Sequence, residues 1–246
     1  MKWNIYEFLV GTFFTILRFV AHSGNQPFTG MPKEGKWIRI VLDLDGTLVY
    51  FSPKGKPDFH VQNIPYSFAP FALEFLYSLV KLPKTKISFF SAGNHSRNQE
   101  IISYLQRKVF LRTWKWIKFE LLSSDHVSFG LDCRGDIGLK DLQKFGTKIG
   151  LESIILVDDN LVSYPGQEQN LLRILPGIGS QNANSRVTSN LIYAHTLIYT
   201  ARQVSLEEGI SLVEALDRQK ELIRIDDDST LQVEFINTKS TKILYS

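Results

Sequence analysis

Cysteine is all but missing from this sequence: Cys133 stands alone among 246 residues. A lone thiol forms no internal disulfide, so the chain is not a secreted disulfide framework; we expect a reducing, cytoplasmic setting with Cys133 as a buried thiol. Charge of one sign is equally scarce, because 28 Lys and Arg stand against 25 Asp and Glu and leave +3. That excess is too small for a dedicated nucleic-acid binder, and no nucleic acid is expected among the partners. Internal repeats and low-complexity tracts are lacking as well. So are long apolar runs. Near the N-terminus the uncharged stretch Phe8 to Leu17 covers ten residues between Glu7 and Arg18, where a bilayer-spanning helix needs roughly 20. Residues 1–20 therefore read as an amphipathic or apolar helix, retained rather than cleaved as a signal peptide. We expect it to pack on the core, with peripheral membrane attachment as the second reading.

What is present is ample core material, since 43% of the residues are apolar. The pattern fits one domain with appendages: a helix and linker over 1–30, a main domain over 36–223 and a tail over 224–246. A Gly/Pro/Lys stretch from Gly30 to Gly35 punctuates the chain before WIRIVLDLDGTLV. Residues 37–42 are a β-branched apolar run stopped by an acidic, glycine-containing turn, as a buried parallel strand ends. The spacing then predicts a helix over 67–82, a strand over 86–90 and a helix over 96–109. Thr113 to Val127, rich in Trp and Phe, reads as strand pairs. Lys140 is expected to open a helix, KDLQKFG, ahead of the strand SIILVDDN. After Asn170 the chain reads as helical again, and Ser205 to Glu208 has capping-box spacing before an amphipathic helix reaching Ile223. Strands alternating with helices argue for an α/β fold with a doubly wound, mostly parallel sheet. The tail segment LQVEFI reads as an edge strand.

Polar residues stand directly after these buried strands, at the carboxyl edge where α/β sheets bind ligands. Asp43, Asp45 and Thr47 follow the first, Ser91 the second, and Asp158 with Asp159 ends the third; Lys140 lies between the last two groups. Each alone is ordinary, as turn former, helix cap or solvated cation. Acids, a cation and hydroxyls meeting at one sheet edge make a phosphate and metal site.

That order, DLDGTLV, FFSAG, LKDL and LVDDN, resembles the four motifs of the haloacid dehalogenase (HAD) superfamily. Within it, GLKDLQKFG with ESIILVDDNLVSYPGQEQN, and FELLSSDHVSF, are similar to the branch of RNA-polymerase C-terminal-domain phosphatases and their NLI-interacting-factor-like relatives. The resemblance covers about residues 36–223. LDG stands where that branch commonly has LDE, and Asp159 where its small phosphatases tend to carry Asn. The resemblance implies a phosphoric monoester hydrolase with Asp43 as nucleophile, forming an aspartyl-phosphate, and Asp45 as general acid and base. It assigns phosphate binding to Thr47, Ser91 and Lys140. Mg²⁺ is the implied cofactor, held by Asp43, the backbone carbonyl of Asp45, and the pair Asp158 and Asp159, with Asp159 on the ion and Asp158 behind it.

The gap from Thr47 to Ser91 reads as a short loop and one helix, and that from Gly93 to Leu139 as one helix with a small β insert, so no large cap domain is expected. An open site favours a phosphorylated protein as substrate. Phe51, Phe59 and Tyr66 after the first motif favour phosphotyrosine over phosphoserine or phosphothreonine. Arg107, Lys108, Arg112, Lys115 and Lys118 form a basic stretch without an acid from Tyr104 to Lys118. It reads either as a solvated face beside buried Trp114 and Trp116, or as an attractor for an acidic phosphopeptide or anionic lipid. His95 and His126 lack metal-pair spacing and read as surface or structural residues. The alternative function is a noncatalytic, membrane-associated scaffold or lipid-binding module on the same fold. Retention of Asp43, Asp45, Lys140, Asp158 and Asp159 argues against a degenerate binding module that has lost its chemistry, whereas a membrane-tethered scaffold needs no turnover at all.

Overall fold

A computed structural model describes residues 36–53, 56–132, 135–146, 148–160, 164–174, 190–219, 222–225 and 231–234, omitting the side chains of 129–137 and of the residues after 219. All fall within the unit 35–246. The helix expected within residues 1–20, Cys133 and the final residues of the tail lie outside the described residues.

The framework is a five-stranded parallel sheet in the order β10-β9-β1-β5-β6. Its strands are β1 (Ile38–Leu42), β5 (Thr85–Phe90), β6 (Glu120–Leu122), β9 (Ile154–Asp158) and β10 (Leu171–Arg173). β1 is central, with Ile40 opposite Ile87 on one side and Ile155 on the other. A strand paired on both edges and covered on both faces must be apolar throughout, and all five residues of IRIVL are buried. Alternation sorts them: Ile38, Ile40 and Leu42 join a large core with Ile87, Phe89, Ile155 and Val157, while Val41 joins a smaller one with Phe90, Ile154 and Leu156. Helices α1 (Ala72–Lys81), α2 (His95–Thr113), α3 (Asn190–Glu208) and α4 (Leu212–Gln219) all bury apolar residues in the large core. The small core is closed by Leu142 and Phe145. No described helix is long and apolar enough to cross a membrane.

Arg39 is the exception in β1, a cation 2% exposed. It donates to Glu120 Oε2 (2.6 Å) and Ser88 Oγ (3.2 Å), and its guanidinium lies 4.6 Å from the centre of the Phe145 ring. Glu120 also pairs with Lys86 (2.8 Å).

Several expected elements differ. The segment after the first motif is a three-stranded antiparallel sheet of β2 (Val49–Phe51), β4 (Ile64–Phe68) and β3 (Phe59–Val61), in that order, so the expected helix begins only at Ala72. Residues 113–127 form no strand pair: they run from the end of α2 into edge strand β6, and the hairpin comes later, as β7 (Ser128–Asp132) with β8 (Gly135–Leu139). Trp114 and Trp116 are exposed; Phe119, Leu122 and Val127 are the buried apolar residues there. Lys140 opens no α-helix but follows β8 into a 3₁₀ turn, Leu142–Phe145. Beyond Asn170 the chain adds β10 before α3 begins. Ser205 sits inside α3, its hydroxyl donating to the Ile210 carbonyl (2.7 Å). The cap belongs to Ser211, whose Oγ accepts from Glu214 N (3.0 Å) at the start of α4, in a second Ser-x-x-Glu six residues on. In the tail, β12 (Leu231–Glu234) pairs antiparallel with β11 (Leu222–Ile225).

Candidate active site

The strand order places the site. From β1 the chain steps outward to β5 and β6, then returns to the other side of β1 for β9 and β10, and a crevice opens where the direction reverses. Asp43 continues β1 by one residue, its N–H donating to the Val157 carbonyl (3.0 Å). Asp158 ends the neighbouring β9, and Ser91 follows β5. Sequence separations of more than 100 residues are thus closed by parallel pairing, with the acidic side chains at one edge.

Lys140 joins them. Its ammonium lies 2.7 Å from Asp43 Oδ1 and 2.6 Å from Asp158 Oδ2, all three groups buried. Asp158 is fully engaged, since its Oδ1 accepts from Asn160 N (2.8 Å). Asp159 is half-buried and accepts from Thr47 Oγ1 (3.3 Å). Ligand oxygens of Asp43, Asp158 and Asp159 lie within 4.8 Å of one another. Burial pushes the Asp43 carboxyl up, and Asp158 adds to that push against the pull of Lys140. Burial likewise raises Asp159, again reinforced by Asp158. For Lys140 burial works against the charge, but Asp43 and Asp158 outweigh it and hold the amine above its ordinary value.

These groups line a cavity of about 410 Å³ with Asp45, Ser91, Asn160 and Arg173. The two carboxylates of the first motif differ in setting: Asp43 lies deep, whereas the Asp45 side chain is 47% exposed at the rim. Ser91 Oγ stands 3.5 Å from Asp45 Oδ2 and accepts weakly from Gly93 N (3.4 Å). Thr47 is buried beneath Asp159 and is not part of the cavity wall. His95 starts α2, and His126 ends a short 3₁₀ turn; neither lines the cavity.

Gly46 makes the turn of the first motif possible. Its φ is +76°, and a Cβ there would meet Asp159 Oδ2 at 2.3 Å. A conformation only glycine adopts freely thus brings the backbone against the acid arriving from β9.

Four functional contributors were not read from the sequence. Arg97, in the first turn of α2, clamps Asp45 with both guanidinium ends, Nη1 to Oδ2 at 2.7 Å and Nη2 to Oδ1, while its Nε donates to Tyr66 Oη (2.9 Å). Asn98 is fully buried and donates to the Gly93 carbonyl (2.9 Å), fixing the loop of Ser91. Gln167 accepts from Leu142 N (2.9 Å) and donates to Asp141 Oδ1 (2.7 Å), which ties down the turn carrying Lys140. Arg173, last in β10, supplies a cation to the cavity wall. Within HSRNQE, Arg97 and Asn98 look like helix-surface residues, and only the approach of the start of α2 to the loops after β1 and β5 gives them inward partners.

A family model described as NLI interacting factor-like phosphatase matches residues 38–205. The chain belongs to this family. The match runs from the first residue of β1 to the last turn of α3 and so includes every residue of the site just described. No curated protein matches the chain as a relative. As an NLI interacting factor-like phosphatase the molecule is a phosphoric monoester hydrolase on a HAD-like α/β fold.

Proposed function

We propose that this phosphatase is a Mg²⁺-dependent protein phosphatase that works through an aspartyl-phosphate on Asp43. The observation that carries the reading is the ion pair of buried Asp43 with Lys140, on the cavity floor beside Asp158 and Asp159.

The donor set fits a divalent cation. Three carboxylates against one ammonium leave two negative charges in a buried space, where burial already works against ionisation of Asp43 and Asp159. Asp43, the Asp45 carbonyl and Asp159 would hold Mg²⁺, whose preference is for a few oxygen ligands and retained waters. Asp158, with both oxygens already engaged, stands behind them and orients Lys140. Bound there, the ion supplies charge neutralisation to the phosphoryl oxygens.

The residues of the chain divide the remaining work. Lys140 fixes the Asp43 carboxylate and offers its ammonium to the dianionic phosphate, which would otherwise repel the nucleophile. A free Asp43 oxygen bonds to phosphorus as the bond to the leaving oxygen breaks. Asp45, at the rim, gives that oxygen a proton; it later takes one from the water that cleaves the aspartyl-phosphate and regenerates Asp43. Ser91 receives a phosphoryl oxygen at the wall.

The substrate is a phosphorylated protein, reached by an open rim. The phosphotyrosine preference loses two of its three aromatic supports, because Phe59 and Tyr66 are buried in the core and only Phe51 is exposed. It now depends on Phe51.

The test is to trap the intermediate. An Asp45→Asn enzyme given an aryl phosphate, whose leaving group departs without help, should accumulate the adduct because its hydrolysis lacks a base. Intact-protein mass spectrometry after acid quench should show one phosphoryl group, lost with hydroxylamine and absent from Asp43→Asn/Asp45→Asn. An adduct on another residue, or steady turnover by Asp43→Asn, rules the mechanism out.

A further inference from the structure

The far end of α2 presents a surface that catalysis does not use. Leu111 is 67% exposed, Trp114 80% and Trp116 66%. Single exposed apolar residues are commonplace; three large ones within six residues form a patch that marks an interaction site. Their exposure is built in. Trp114 ends the helix in the left-handed conformation, φ +57°, with its N–H donating to the Phe110 carbonyl (2.8 Å). Phe110 meets both indoles edge-on, at 6.2 and 5.7 Å between ring centres.

Cations surround the patch. Arg107, Arg112, Lys115 and Lys118 are exposed, and Lys108 lies over the Tyr104 ring at 5.3 Å. No acid interrupts the chain from Tyr104 to Lys118. The occupant must therefore be anionic and also accept large apolar side chains.

We infer that Arg107–Lys118 is a docking surface for an anionic lipid bilayer. An acidic protein segment would satisfy the cations, but side chains two-thirds to four-fifths open to solvent offer no enclosed pocket for a peptide's own side chains. A bilayer needs no cleft: indoles settle at the boundary of headgroups and acyl chains, leucine reaches deeper, and Lys and Arg bind anionic headgroups.

The test uses the intact chain, with flotation on phosphatidylcholine vesicles with and without about 30% phosphatidylserine, a fraction chosen to give a strongly negative surface. Binding is expected only with phosphatidylserine and should weaken as salt rises. Trp114→Ala/Trp116→Ala and, separately, Lys115→Glu/Lys118→Glu should each lower partitioning by about tenfold or more. Both double variants should retain p-nitrophenyl phosphate hydrolysis, because their side chains are exposed and remote from the cavity wall in sequence and role. Flotation equal in wild type and both variants would assign binding to another segment and overturn the inference. So would failure of the wild type to float, or binding of an acidic peptide by the wild type while vesicles do not bind.

Discussion

Arg97 holds both carboxylate oxygens of Asp45 from the first turn of α2, and Tyr66 holds Arg97 in turn through a hydrogen bond of 2.9 Å. The exposed member of the first motif is thereby fixed in direction although it lies at the rim. In the proposed mechanism, where Asp45 gives the proton, Arg97 is its positioning residue. Arg97→Met should lower kcat for alkyl phosphates about 10- to 100-fold while aryl phosphates suffer less, since a displaced acid matters most for a poor leaving group. Arg97→Lys should not restore the rate, because an ammonium lacks the two-pronged grip. Steady-state kinetics should also show Arg97→Met/Asp45→Asn no slower than Asp45→Asn alone. Additive losses would mean that Arg97 acts elsewhere.

Metal occupancy should be visible without any turnover. Mg²⁺ at about 100 times its dissociation constant stabilises a folded protein by about 2.7 kcal/mol, so thermal melts of the wild type should shift upward with Mg²⁺. Asp159→Ala, which removes the ligand oxygen, should abolish the shift, whereas Asp45→Asn, which keeps its backbone carbonyl, should preserve most of it. EDTA should remove activity, Mg²⁺ should restore it, and Ca²⁺, with its looser geometry, should support little. Equal shifts in the wild type and Asp159→Ala would count against the ligand assignment.

Gly46→Ala tests the close approach of the first and last motifs. A left-handed conformation costs a residue with a Cβ roughly 1–2 kcal/mol, and the new carbon would strike Asp159 Oδ2. We expect a lower melting temperature together with a weakened Mg²⁺ shift. A variant that loses stability but keeps the full shift would show that Asp159 moves aside without consequence.

Glu120 should make the protein acid-sensitive. Burial works to raise its carboxyl, but Lys86 and Arg39 outweigh burial and hold it below its ordinary value. The folded state therefore releases this proton more readily than the unfolded one. The resulting stability is present above the ordinary value of 4.5 and is lost as pH falls through the lower folded value. Breaking a buried pair costs about 3–5 kcal/mol, but Glu120 is more than a third exposed, so Glu120→Ala should cost nearer 1–2 kcal/mol. Melts from pH 6 to 3 should show a shallower acid decline for the variant; parallel curves would remove Glu120 from the account.

The three inner strands and their terminal acids were legible because a doubly covered strand admits little but apolar residues, so Asp43 and Asp158 stand out where such runs stop. Lys140 was legible as a member of the site but not in its setting, because KDLQKFG has the composition of a helix and Gln167, far along the chain, holds it as a tighter turn. The sheet of β2, β3 and β4 was missed because Pro53, Gly55 and Pro57 suggested only loop. Arg97 and the exposed indoles were illegible for a common reason. Composition says that a side chain is polar or apolar, and only the path of the backbone says which way it faces.

Asp43 hangs from a strand with a parallel neighbour on each side. Before its surroundings come apart, β5 or β9 must let go, and a sheet loosens from its rims inward. The rims are β6, carrying Glu120, and β10, carrying Arg173. Under thermal stress the charge balance of Arg39 and one wall of the cavity should therefore be surrendered first, with Asp43 still in place. Amide exchange should therefore rank Ile40 and Val41 among the slowest protons in the molecule, and an ageing preparation should lose its hold on substrate before it loses the capacity for chemistry.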